Sequence, residues 1–202
     1  FKDKTFTPDQ MYELRIAAYM HDIGKVTSPV EIVEKAKKLQ TIFDRIHYVR
    51  LRMAYISQKV QLEGQEAKIK LLQNGSDPEQ LKALEKTTQD KLEELTEIRE
   101  FINKCNEPGE FLEDETLDRL KELSQKTYID DAGEQQPLIT EDELVNLSIR
   151  RGSITEKERG KMQDHAAVTL RMLKQIPFTK KLKNIPDFAG AHHEFINGKG
   201  YP

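Results

Sequence analysis

Residues 5–25 read TFTPDQMYELRIAAYMHDIGK. Thr7 is placed to cap a helix. Pro8 follows at the first helical position, where a missing N–H costs nothing, and Gln10 can reach back to the cap. Met11, Leu14 and Ala18 recur at helical spacing up to a Met20–His21 end, which predicts the buried stripe of one helix. Gly24 is expected to stop it, because glycine tolerates left-handed dihedrals. On this reading His21 and Asp22 fall in the last turn of a buried helix.

Outward from this stretch the chain divides into three parts. In residues 1–39, a second short helix is expected after Pro29, carrying Ile32, Val33, Ala36 and Leu39. Residues 40–149 hold two long helical patterns flanking NGSDP, a run of turn formers at 74–78. The first pattern shows Ile46, Val49, Met53, Ile56 and Val60. The second shows Leu81, Leu84, Leu95, Ile98 and Ile102, with Thr88 and Lys91 interrupting the seam. An antiparallel helical hairpin is expected, closing near NEPGE at 106–110. A short helix from Glu113 to Leu123 follows, then a loop or small hairpin at YIDDAGEQQPLI. A further helix is boxed by Thr140 and Glu143 and stopped by Gly152.

In residues 150–202, Thr155 and Glu158 form another capping box. Met162, Ala166, Leu170 and Leu173 make that helix amphipathic, with His165 beside the stripe. A last helix is expected from Pro186 through His192 and His193. The fold class is therefore all-α.

The chain has 202 residues, 33% charged and 37% hydrophobic, with no Trp. That profile suits helices with much solvated surface. A net charge of −3 leaves no basic footprint for a nucleic-acid polymer. No apolar run approaches membrane-spanning length, so no membrane contact is expected from this segment. The one cysteine, Cys105, cannot form an internal disulfide and suits a reducing, cytoplasmic setting. The start, FKDKTF, carries no initiator Met, and the chain is expected to be an internal piece of a longer protein.

The five histidines are His21, His47, His165, His192 and His193. Imidazole is the commonest transition-metal side-chain ligand, and carboxylate beside it favours hard or borderline ions. Adjacent helical residues diverge by about 100° around a 3.6-residue turn, so His21–Asp22 and His192–His193 suit neighbouring ions better than one closed site. Two-metal sites, with ions about 3.5–4 Å apart, serve phosphoester hydrolysis. Lys25 is placed to meet a phosphate oxygen. The plainer alternatives are helix-end histidines bonded to carbonyls, a core His165 and a solvated Lys25. His47, inside the hairpin pattern, is read as structural.

Residues 18–39, with HDIGK at their centre, and 153–202, ending HHEFINGKGYP, resemble the two motif blocks of the HD-GYP family. These are metal-dependent phosphohydrolases of the HD superfamily whose characterised members degrade the bacterial messenger cyclic di-GMP. The resemblance implies an HD-type helical bundle carrying the helical hairpin as an insertion. It makes His21, Asp22, His165, His192 and His193 metal ligands. It assigns substrate contact to Lys25 and to Gly198, Gly200, Tyr201 and Pro202, with Lys25 and Asp22 in the catalytic step. It implies two or three divalent ions, iron or manganese rather than zinc, and a cyclic dinucleotide substrate. Asn197 stands where the family has Asp. The family's upstream Glu and His ligands and its Asp after GYP have no counterpart here, which makes a cut-down site the expectation. A homodimer and a signalling partner at the GYP loop or hairpin are further expectations. The alternative is a catalytically inactive HD-GYP module for protein interaction or nucleotide sensing.

Overall fold

A computed structural model describes residues 5–75, 77–109 and 111–202. Ser76 of the NGSDP turn, Glu110 of NEPGE and the first four residues lie outside the described residues. The described chain is mostly helical. Its helices are α1 (Pro8–Met20), α2 (Val30–Val33), α3 (Ile46–Gln73), α4 (Pro78–Asn106), α5 (Asp114–Gln125), α6 (Glu141–Leu147), α7 (Glu156–Leu173) and α8 (Ile185–Gly190). Tight 3₁₀ turns span Ile23–Thr27 and Lys180–Leu182. Strands β1 (Thr127–Ile129) and β2 (Gln135–Pro137) form an antiparallel pair in which Tyr128 faces Gln136. The expected all-α class holds, with this small hairpin as its one ornament among the described residues.

The chain forms two compact units, Phe1–Glu34 with Thr155–Pro202, and Lys35–Ile154. In the first, α7 packs on α8 and on the 3₁₀ turn at 23–27, and α1 packs on α8. Ala17, Leu173, Ile185 and Ala189 form its apolar centre, flanked by Ile16, Met20, Phe178 and Leu182. The Thr7–Gln10 and Thr155–Glu158 boxes both form.

The expected buried stripe of α1 is on the wrong face. Met11, Leu14 and Ala18 are exposed, whereas Glu13 and Ala17 are buried. The reason is polar: Glu13 accepts from the Asn184 backbone N–H at 2.7 Å and from its side-chain amide at 3.0 Å. The carboxylate thereby satisfies an N–H at the start of α8 that would otherwise lack a partner, and it turns the Glu13–Ala17 face inward.

The second unit is built on the α3–α4 hairpin. Ile46, Val49 and Met53 of α3 meet Ile98, Ile102 and Cys105 of α4, and the cluster extends through Leu120, Leu123, Leu138, Ile139 and Leu147. Ile46, Val49, Met53, Ile98 and Ile102 are positions that the helical spacing picks out, with Ile56 and Leu95 packed beside them; Cys105 and the residues from Leu120 on are not part of those stripes. Thr88 is a matched interruption, because Gly64 stands opposite and a Cβ there would lie 2.8 Å from the Thr88 side chain. A buried ion pair braces the unit. Arg52 meets both oxygens of Glu143 at 2.8 and 3.0 Å, and Glu143 also closes the α6 capping box with Thr140.

The helix expected after Pro29 is a single turn, Val30–Val33, and Ala36 and Leu39 lie beyond it. Further along, Asn106 claims the backbone. Its carbonyl accepts from the Lys38 N–H at 3.1 Å, and its side-chain oxygen accepts from the Leu39 N–H at 2.7 Å. Those donors are thus not available to helical carbonyls. The helix expected to run to Gly152 ends earlier, at Leu147 with Ser148 as its cap, so Gly152, with φ 79°, turns the chain beyond α6 and does not stop it.

Candidate metal centre

His21 is the residue after α1, and Asp22 leads into the 3₁₀ turn. His165 is buried in α7. His192 and His193 lie in a turn just after α8, not within a helix as expected. The last helical bond runs from the Ala191 N–H to Asp187, after which Glu194 turns back on Ala191. That tight turn brings both rings to one side, which a continuing helix would have spread apart.

Three of the rings are held in the same way. Nδ1 of His21 meets the Ala18 carbonyl at 2.6 Å, and Nδ1 of His192 meets that of Ala189 at 2.6 Å. Nδ1 of His165 meets the Met162 carbonyl. A carbonyl can only accept, so the neutral rings carry hydrogen on Nδ1 and a lone pair on Nε2. The three lone pairs then serve the cluster. His165 Nε2 is 3.2 Å from His192 Nε2. Asp22 Oδ1 is 3.4 Å from the first and 3.7 Å from the second. Asp22 Oδ2 is 3.1 Å from His21 Nε2.

Acceptors that face one another without a proton between them repel. Asp22 Oδ1 is a buried oxygen with no hydrogen-bond partner, a costly state for a carboxylate. A cation among these atoms removes both penalties. His165, His192 and His193 form one group that could hold a metal ion, and His21, Asp22 and His192 form another, with donor atoms in each group within 4.8 Å of one another. His192 belongs to both groups, and with Nδ1 on the Ala189 carbonyl its Nε2 can serve one ion only. The donor set is nitrogen and carboxylate oxygen with no thiolate, which fits borderline divalent ions.

Charge favours the ligating forms. Burial alone would raise the Asp22 carboxyl, but the hydrogen bond from Lys25 and the electrostatic influence of His21, Lys25 and His165 hold it below the usual carboxylate range. Burial pushes His192 down, against the Ala189 carbonyl and with the help of His21 and His165. Burial also lowers His193, reinforced by His192 and His165. A neutral imidazole and an ionised carboxylate are what a metal takes.

Lys25 donates to Asp22 Oδ2 at 2.7 Å, and its side chain is 42% exposed. It therefore stands beside the cluster with hydrogens left to donate. Tyr201 stacks on His193, with ring centres 4.6 Å apart and planes 22° apart. The Glu194 carboxylate accepts from the N–H groups of Phe195 and Gly200 at 2.8 and 2.7 Å, which folds the GYP loop back on itself. Gly200 has no room for a side chain there: a Cβ would lie 2.5 Å from Glu194 Cα, and the His193 carbonyl also stands in its way. Gly198 takes φ 68°. Pro202 is exposed, and His47 is exposed on α3 in the other unit. His165 also lines a cleft of about 460 Å³ with Thr27, Ser28, Lys161, Asp164 and Arg171.

Two residues at or beside this site, Glu194 and Thr169, escaped the sequence reading, as did Glu13 of α1, which holds Asn184. Thr169 lies four residues after His165, and that helical spacing was the available signal. Gly24 was misread. It has no positive φ. It is needed because α7 passes against it: a Cβ would meet the His165 carbonyl and lie 2.7 Å from the Thr169 amide nitrogen.

A family model described as an HD domain matches residues 139–202. That span includes His165, His192, His193 and the GYP loop, and the match supports an HD-superfamily phosphohydrolase domain, a class that binds divalent metals. Comparisons with curated proteins and with solved structures give no match. Among the described residues, no helix is long and apolar enough to cross a membrane.

Proposed function

We propose that this chain belongs to a metal-dependent phosphodiesterase of the HD-GYP type, acting on cyclic di-GMP in bacterial signalling. The observation that carries the reading is the convergence of two imidazole Nε2 atoms, of His165 and His192, on a partnerless buried carboxylate oxygen. The HD-domain match supports the wider superfamily, and the HHE…GYP motif is what favours this subtype.

His21, Asp22, His165, His192 and His193 would hold two or three divalent ions, iron or manganese. Bound there, such ions lower the pKa of water and absorb charge on phosphate oxygens. The chain's own residues do the rest. The Lys25 ammonium is charged, cannot ligate while protonated, and can turn a free hydrogen toward a phosphodiester oxygen. Asp22 holds Lys25 in place through its second oxygen. The carbonyl bonds at Nδ1 fix the His21, His165 and His192 rings so that Nε2 faces inward. Tyr201, packed on His193, and the glycines of its loop offer a flat ring and open backbone to a nucleotide.

A second reading, an inactive module that senses a nucleotide or binds a partner, is favoured by α1. Residues 5–20 contain no histidine, and the buried carboxylate of α1, Glu13, is committed to Asn184.

Elemental analysis of anaerobically purified protein, in a longer chain carrying both flanks, tests metal binding. Protein that cannot be loaded with iron or manganese would sink the metal reading. Loaded protein that leaves cyclic di-GMP intact would favour the second reading. Within an active protein, Lys25→Ala should lower the rate by about 10²–10³ with metal content intact, whereas His192→Ala should lose metal and rate together.

A further inference from the structure

We infer that Thr169 is a positioning residue: its hydroxyl caps the turn that Asp22 would otherwise cap, and so leaves Asp22 Oδ1 free for a divalent cation. The inference rests on the metal reading above and goes beyond it.

Asp22 stands at the N-terminal edge of the 3₁₀ turn Ile23–Thr27. An aspartate in that position ordinarily accepts from a backbone N–H two or three residues on. Asp22 makes no such bond. The Gly24 N–H is satisfied from another helix: it donates to Thr169 Oγ1 at 3.0 Å. The same hydroxyl donates its own hydrogen to the His21 carbonyl at 3.0 Å. One side chain thus grips the backbone on both sides of Asp22, and it does so from one turn beyond His165.

The usual behaviour of a helical hydroxyl is different. Ser and Thr within helices tend to bond the carbonyl four residues back. Ser57, Thr87, Thr88 and Thr96 all do so, on Met53, Ala83, Leu84 and Leu92. Thr169 gives its hydrogen to His21 instead, and it is fully buried. Gly24 is what permits the reach, since α7 lies too close to the turn for any Cβ. The outcome is visible at Asp22. One oxygen is bonded to Lys25, and the other is buried with no partner beside two imidazole nitrogens. Had Asp22 capped its own turn, that oxygen would be committed to an N–H.

The test compares wild type, Thr169→Val and Thr169→Ser by Mn²⁺ titration calorimetry and by amide hydrogen exchange at Gly24, with circular dichroism to check folding. Valine keeps the shape and removes both bonds, while serine keeps both. Thr169→Val should bind Mn²⁺ about 10–100-fold more weakly and exchange Gly24 about tenfold faster, and Thr169→Ser should stay close to wild type. Valine binding Mn²⁺ as wild type does would overturn the inference, as would serine behaving like valine, because shape alone would then be the role. If wild type takes no Mn²⁺, the metal reading fails by itself, and unchanged Gly24 exchange in the valine variant would then refute the capping role separately. If valine prevents folding, metal-free wild type still decides: a Gly24 amide without exchange protection would overturn the inference.

Discussion

The unit Lys35–Ile154 buries a long apolar seam, from Leu39 through the α3–α4 hairpin to Leu147. The unit formed by Phe1–Glu34 and Thr155–Pro202 has a small apolar centre around Ala17 and Leu173. In it Glu13, His165 and Thr169 are buried, each tied by a specific bond to a partner distant in sequence. The hairpin unit also buries polar groups, Asn106 and Glu143 among them, but around a far larger apolar cluster, so the contrast is one of proportion between two ways of holding helices. Apolar area is forgiving, non-directional and scales with surface. Polar cross-links place atoms to a fraction of an ångström and leave little slack, which suits the unit that gathers metal donors.

The largest effect should come from the two-point ion pair of the hairpin unit, Arg52 with Glu143. Glu143→Ala leaves Arg52 half-buried and unpaired and should cost about 3–5 kcal/mol in urea unfolding. The pair also predicts a pH dependence. Burial raises the Glu143 carboxyl, but Arg52 and Thr140 outweigh it and hold it below the usual range. A depressed carboxylate adds stability that is fully present above its unfolded pKa and lost as pH falls through the folded one. Wild type should therefore weaken on acidification below the ordinary glutamate range, and Glu143→Gln should flatten that limb. An unchanged acid limb would mean the pair is idle.

Next is the response to metal. Mn²⁺ at one hundred times its Kd should stabilise the donor-bearing unit by about 2.7 kcal/mol. Hydrogen exchange should slow in α7 and in the turns at 21–27 and 191–201, with α3 and α4 unaffected. Equal slowing in both units would blur the distinction drawn here.

Glycine replacements sharpen it further. Gly24→Ala would press a methyl against backbone atoms of His165 and Thr169 and should cost about 1–3 kcal/mol. Gly64→Ala meets only the Thr88 side chain, which can rotate, so thermal melting should move less. The smallest effect should be at Lys68, whose exposed pair with Glu85 at 2.6 Å should be worth about 0.2–1 kcal/mol in a double-mutant cycle.

The same contrast governs what could be read from residues alone. The hairpin was legible because Ile46, Val49, Met53, Ile98 and Ile102 repeat at helical spacing, and burial follows that period. The three capping boxes were legible because their chemistry is local. The wrong face of α1 was chosen because Met11, Leu14 and Ala18 look like a core stripe, while Glu13 is drawn inward by an asparagine 171 positions away. The role of Thr169 was hidden for a similar reason: its spacing from His165 marks a shared helix face, but its partners lie 145 and 148 positions off. Directional bonds between distant residues leave no periodic trace. The five donor residues His21, Asp22, His165, His192 and His193 could be named as types, but only the folded chain sets Nδ1 of His21, His165 and His192 on carbonyls three residues back.

Tyr201 against His193 has an optical consequence. The protein has no tryptophan, so its near-ultraviolet emission is that of six tyrosines alone. Tyr201 lies parallel to an imidazole that belongs to the donor cluster. Any change in that imidazole's charge, ligation or tilt alters the surroundings of the tyrosine ring directly. The chain thus carries its own fluorophore next to the cluster, a reporter that needs no label.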